Sequence, residues 1–171
     1  MTFKIEEALE ILSRTPATLS ALLSGLSDNW TKTNEGPETF SPYDVVGHLI
    51  EAEKNLWMVR ANSILEYGET KPFTPFDRFA HYESSKGKSL ETLLEEFAAL
   101  RNDSLETLRD TAFTSEDLAK TGTHPEFGSV KLAELLATWV VHDLSHIRQI
   151  VRTMTKQYSE AVGPWKAYLS V

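Results

Sequence analysis

Leu135-Leu136-Ala137-Thr138-Trp139-Val140-Val141-His142-Asp143-Leu144-Ser145-His146 carries apolar residues at helical spacing, and the stripe goes on through Ile150 and Met154. A helix over this run, expected from Ser129 to about Tyr158, buries one face. His142 and His146, four residues apart, share that face and can grip one metal ion. Imidazoles in a core need hydrogen-bond partners or a metal, since an unpartnered buried polar group costs about 1–3 kcal/mol. The pair alone leaves both readings open.

Three further segments repeat the helical pattern. Ser41 as N-cap, Pro42 in the first turn and Asp44 three residues after the cap open a helix that continues through Val45, His48, Leu49, Ala52, Leu56 and Val59 to Tyr67, where Gly68 stops it. Leu9, Leu12, Leu19, Leu22 and Leu23 stripe a first segment from Ile5 to Leu26, interrupted or kinked by Pro16. Ser89 to Thr111 forms a third, with Leu90, Leu93, Leu94, Phe97, Leu100, Leu105 and Leu108 on its apolar side, followed by a short turn at Ser115 to Leu118. No stretch alternates at period two, so the expectation is an all-α four-helix bundle without a sheet.

The connection from Gly68 to Lys88, with Pro72, Pro75 and Gly87, is long enough at ~3.3 Å per residue to cross from one end of the bundle to the other. It makes the second and third helices parallel, and the order up-down-down-up. At 171 residues the chain is expected to form one domain.

With 17 basic against 25 acidic side chains the net charge is −8, which disfavours binding to nucleic-acid backbones. The absence of cysteine excludes disulfides and thiolate ligands, leaving any metal to His, Asp or Glu. Met1 to Glu7 lacks the basic-then-apolar run of a signal peptide and no apolar stretch is long enough to span a bilayer, so a cytoplasmic protein without membrane partners is expected.

His48 lies on the core stripe of the second helix, ~10 Å from its start, while His146 lies ~18 Å from the end of the fourth. Antiparallel packing of those helices brings His48, His142 and His146 to similar depth, a three-nitrogen set with open positions, as in catalytic rather than structural sites. Zinc, nickel, manganese and iron all suit such a set. A zincin reading of His142-Asp143-x-x-His146 fails on its third ligand, because Gln149 and Arg152 stand where Gly and His are required. Asp143 is kept as the carboxylate that backs the ligands. Glu51 and Glu53, one turn past His48, either orient a nucleophile and move its proton or lie on a solvated helix face. His81 and His124 are read as solvated or hydrogen-bonding loop residues. Phe73, Phe76, Phe79, Tyr82 and Phe127 either wall a substrate pocket or seal the core under the crossover.

Val46 to Glu53 in helix two, Trp139 to Ile147 with Gln149-Ile150 in helix four, and Tyr158 to Trp165 together resemble the DinB-like superfamily, which includes YfiT-like metal-dependent hydrolases and bacillithiol- and mycothiol-dependent transferases. The resemblance spans nearly the whole chain. It implies an up-down-down-up bundle, one divalent metal held by His48, His142 and His146, and a homodimer. The implied activity is hydrolysis or transfer of a low-molecular-weight thiol, with a small-molecule substrate; a non-catalytic metal-binding or interaction protein is the alternative.

Overall fold

A computed structural model describes residues 2–169. Its helices are α1 (Ile5–Leu12), α2 (Thr15–Leu23), α3 (Asp28–Thr31), α4 (Pro42–Asn55), α5 (Trp57–Tyr67), α6 (His81–Ser84), α7 (Leu90–Asp110), α8 (Ser115–Ala119) and α9 (Leu132–Gln157). The pairs α1/α2 and α4/α5, with α7 and α9, are the four rods of the bundle. Pro16 sits in the first turn of α2, where its missing N–H is harmless, and divides the first rod in two.

Pairings between rods give their directions. Tyr43 on α4 donates to the carbonyls of Ser85 and Lys88 just before α7, and farther along Glu53 meets Arg101, so α4 and α7 are parallel. His48 faces His142 while Trp57 stacks on Trp139, so α4/α5 and α9 are antiparallel. Phe3 and Val140 line one groove and Trp30 packs on Tyr158, so the first rod runs with α9. The order is up-down-down-up, with 68–89 as the crossover. No helix among the described residues is long and apolar enough to cross a membrane.

The start of α4 is built as its sequence dictates: Ser41 and Asp44 exchange hydrogen bonds in a capping box. The second rod is nevertheless not one helix. Leu56 leaves helical geometry (φ −124°, ψ −68°) with neither Pro nor Gly nearby, and the break accompanies stacking of Trp57 on Trp139, with centroids 5.6 Å apart and planes 10° apart.

A second correction is a small antiparallel hairpin, Thr121–His124 with Gly128–Lys131, where no sheet was expected. Strands of four residues are too short to show a period. Their backbone is satisfied instead by docking on the crossover, Phe73 N–H donating to the Thr123 carbonyl at 2.9 Å. Because Ser129–Lys131 pairs in this hairpin, α9 begins at Leu132 rather than Ser129. A Cβ on Gly122 would stand 2.7 Å from Ile64 Cγ1 and 2.9 Å from Phe73 Cζ. Gly122→Ala should therefore lower stability by about 1–3 kcal/mol in urea denaturation, and an unchanged midpoint would show that the hairpin docks loosely.

Candidate metal centre

Three core-facing positions converge near the α2 end of the bundle. α4 supplies His48, and consecutive turns of α9 supply His142 and His146; their ligand nitrogens all lie within 4.8 Å of one another, a grouping able to hold a metal ion. His142 is central, its Nε2 lying 3.3 Å from His48 Nε2 and 3.1 Å from His146 Nε2.

The outward nitrogens fix the tautomers. His48 Nδ1 lies 3.3 Å from the Arg78 carbonyl, which only accepts, so Nδ1 carries the proton. His146 Nδ1 likewise donates to Gln149 Oε1 at 2.9 Å. Burial, reinforced by His146 and in lesser measure by Arg78, pushes His48 down to about 4. Burial and the two neighbouring imidazoles push His142 down to about 2, and burial also lowers His146.

At neutral pH the imidazoles are therefore uncharged, and the Nε2 atoms of His48 and His146 both turn lone pairs toward His142. One N–H at His142 Nε2 can satisfy only one of them, and His142 Nδ1 is buried without a partner among the described residues. A cation among the Nε2 atoms removes this frustration. Tetrahedral zinc, with Zn–N of about 2.0–2.1 Å, sets ligand nitrogens about 3.3–3.4 Å apart, close to the 3.3 and 3.1 Å separations here. The donor set fits a divalent metal.

Without metal, these neutral imidazoles make stability depend on pH. Below about pH 6.5 the unfolded chain takes up protons that the native state refuses, so stability is full above that pH. It falls as the solution is acidified toward the depressed native values, by up to about 1.4 kcal/mol per pH unit for each imidazole. In chelator, urea midpoints should drop between pH 7 and 5 more steeply for the native chain than for His142→Gln. Parallel profiles would show that His142 is not held neutral.

A cavity of about 310 Å³ opens on His48 and His146, with Phe40, Arg78, Gln149 and Arg152 in its lining. The exposed Glu38, with φ 61°, also lines it. Arg152 is held by Glu35, Nη2 to Oε2 at 2.5 Å and Nε to both oxygens, fastening the 33–40 loop to α9. Phe76 and Phe40 pack edge-on or tilted against His48, and Trp57 edge-on against His142.

The carboxylates singled out in the sequence lie elsewhere. Glu51 and Glu53 are buried, not solvated, and neither lines the cavity. Glu51 accepts from Ser84 and Asn55, tying α6 to α4. Glu53 Oε1 accepts from Arg101 Nη2 at 2.7 Å, Arg101 Nε at 2.9 Å and Trp139 Nε1. Asp143 turns away from the imidazoles to take Arg101 Nη1 at 2.5 Å and Nη2 at 3.0 Å, because residue 143 faces α7 when 142 and 146 face α4.

The other histidines and aromatics divide by position. His81 is a buried residue of α6 rather than a solvated loop residue, edge-on to Phe40 with centroids 4.7 Å apart. His124 accepts two backbone N–H groups within the hairpin turn and stacks on the exposed Phe127. Phe73 seals the core under the hairpin, whereas Phe79 and Tyr82 pack on Phe40 beside the cavity. Sequence reasoning passed over Arg78 and Glu38, which no periodicity marks because both lie in loops.

A family profile of the DinB superfamily matches residues 11–150. Among solved structures the chain is similar to YfiT from Bacillus subtilis, described as a probable metal-dependent hydrolase with an unusual four-helix bundle topology. The TM-score is 0.76 at 21% identity, covering 91% of this chain and 87% of that one, which establishes a shared fold. No curated protein matches the chain.

Proposed function

The chain belongs to the DinB superfamily, and on that premise we propose that it is a metal-dependent enzyme, a hydrolase of a small molecule, with one divalent ion on His48, His142 and His146. The observation that carries this reading is the convergence of three imidazoles, two of them with their tautomer fixed by an outward acceptor and lining an open cavity. Structural zinc is normally closed by four protein ligands; a three-ligand set with solvent access leaves room for a reactant. The likeness to YfiT, itself described as a probable metal-dependent hydrolase, supports the same direction.

A divalent ion in this set, zinc or nickel before manganese or iron, would act as a Lewis acid that lowers the pKa of a water or thiol. The chain's own residues do the rest. The Arg78 carbonyl and Gln149 hold two imidazoles in the tautomer that presents Nε2. Phe40 and Phe76 beside His48, and Trp57 beside His142, shield the sides of those two rings from water. Glu38, the acidic residue of the lining, is the one this reading assigns to accept a proton from a reactant there.

Since the chain has no cysteine, thiol transfer would need a free low-molecular-weight thiol, and this decides the test. Zinc- and nickel-loaded protein should hydrolyse members of an ester and amide panel with no thiol present, and lose that activity in chelator. Turnover only when a thiol is supplied with an electrophile would replace hydrolysis by transfer. Metal uptake that raises the melting temperature with no turnover in either panel would favour the non-catalytic reading. A homodimer is also proposed, through the exposed side of α9 that carries Val141, Leu144 and Val151. Sedimentation of the native chain against Leu144→Glu tests it, a monomeric native chain being the contrary result.

A further inference from the structure

We infer that Arg78 is a specificity residue that holds a carboxylate of the substrate, so the cavity takes a small carboxylate-bearing molecule. This rests on the reading of the histidine trio as a metal site. Arg78, an exposed residue, serves the site twice: its carbonyl receives His48 Nδ1–H, and it is one of the residues lining the cavity on which His48 and His146 open.

Its guanidinium is unspent. Among the described residues it forms no ion pair and no side-chain hydrogen bond, although the chain has more acidic than basic groups. Instead it packs over the rings of Phe79 and Phe40, with Cζ 4.9 and 5.9 Å from their centroids. Stacking on aromatic faces restrains the planar fork and leaves its N–H edges open, the state suited to bidentate capture of an oxyanion. The turn that carries it is braced by Asp77, whose side chain accepts the Phe79 N–H at 2.9 Å.

Charge selects the kind of oxyanion. The other arginine of the lining, Arg152, is already bound to Glu35, and the lining also holds Glu38. One free guanidinium, with the acidic Glu38 also in the lining, matches a single negative charge. A dianionic phosphate would meet Glu38 without a second cation to offset the repulsion. The substrate is thus a carboxylate placed at the cavity rim, its reacting group lying toward the imidazoles.

Calorimetric titration of the zinc-loaded protein with succinic monohydroxamate, its methyl ester and the phosphonate of equal length tests this. The hydroxamate end reports the metal, and the far end reports Arg78. The acid should bind the native chain about tenfold or more tightly than the ester. That ratio should fall toward one in Arg78→Met and to an intermediate value in Arg78→Lys, with zinc content measured in each sample. Equal binding of acid and ester to the native chain, or a ratio that survives in Arg78→Met, would overturn the inference while leaving the metal site standing. A larger gain from the phosphonate would overturn the choice of carboxylate. A native chain that takes up no metal and binds no hydroxamate would remove the metal reading, and this inference with it.

Discussion

Replacing Arg101 by Met should destabilise the protein by about 3–5 kcal/mol, a greater loss than from any surface ion pair. Arg101 on α7 reaches every rod of the bundle. Besides Glu53 on α4 and Asp143 on α9, its Nη1 donates to the Leu12 carbonyl at the end of α1 at 3.0 Å. All three charged side chains are fully shielded from solvent. Burial disfavours the guanidinium's charge, but Asp143 and Glu53 outweigh it and hold Arg101 firmly cationic. Glu53 is pushed up by burial against the pull of Arg101, and among the described residues its Oε2 is buried without a partner.

Removing the cation leaves two carboxylates facing each other in an apolar interior, which is the severe case. Replacing the whole cluster, with Glu53→Gln and Asp143→Asn added to Arg101→Met, should recover much of the loss, because no uncompensated charge then remains. Urea denaturation of the three proteins measures both effects. A single variant within 1 kcal/mol of the native chain would mean that water reaches the cluster and that it does not bind the rods together.

Stripes and caps within single helices reveal the rods and the core-facing histidines, and the length of the 68–88 connection gives their order. Arg101 was also visible in principle. It falls four residues after Phe97 and four before Leu105, on the core face, where a charged residue demands partners. What resists such reading is contact between distant segments. The kink at Leu56 accompanies stacking on an indole of another helix, the hairpin docks through a backbone bond to Phe73, and the cavity draws on Arg78 and Glu38, which lie in separate loops. The same limit misdirected Glu51, Glu53 and Asp143. Their spacing put them near the histidines, but which neighbour each carboxylate faces is decided by Ser84 and Arg101, many residues away.

His142→Ala should cut zinc affinity by about 100-fold or more. His142 is the middle imidazole, in contact with both others, and with it gone His48 and His146 offer only two nitrogens from different helices. The variant should fold, since the substitution also removes a buried ring nitrogen that has no partner. The rise in melting temperature that metal gives the native chain, which grows as RT ln(1 + [metal]/Kd), should disappear. An undiminished rise in folded His142→Ala would locate the bound metal elsewhere.

The most direct measurement is metal content by elemental mass spectrometry on tag-free protein at neutral pH, for the native chain beside His48→Ala and His142→Ala. The account predicts about one divalent ion per native chain and its loss from both folded variants. A folded native chain that carries no metal and takes up neither zinc nor nickel would contradict it.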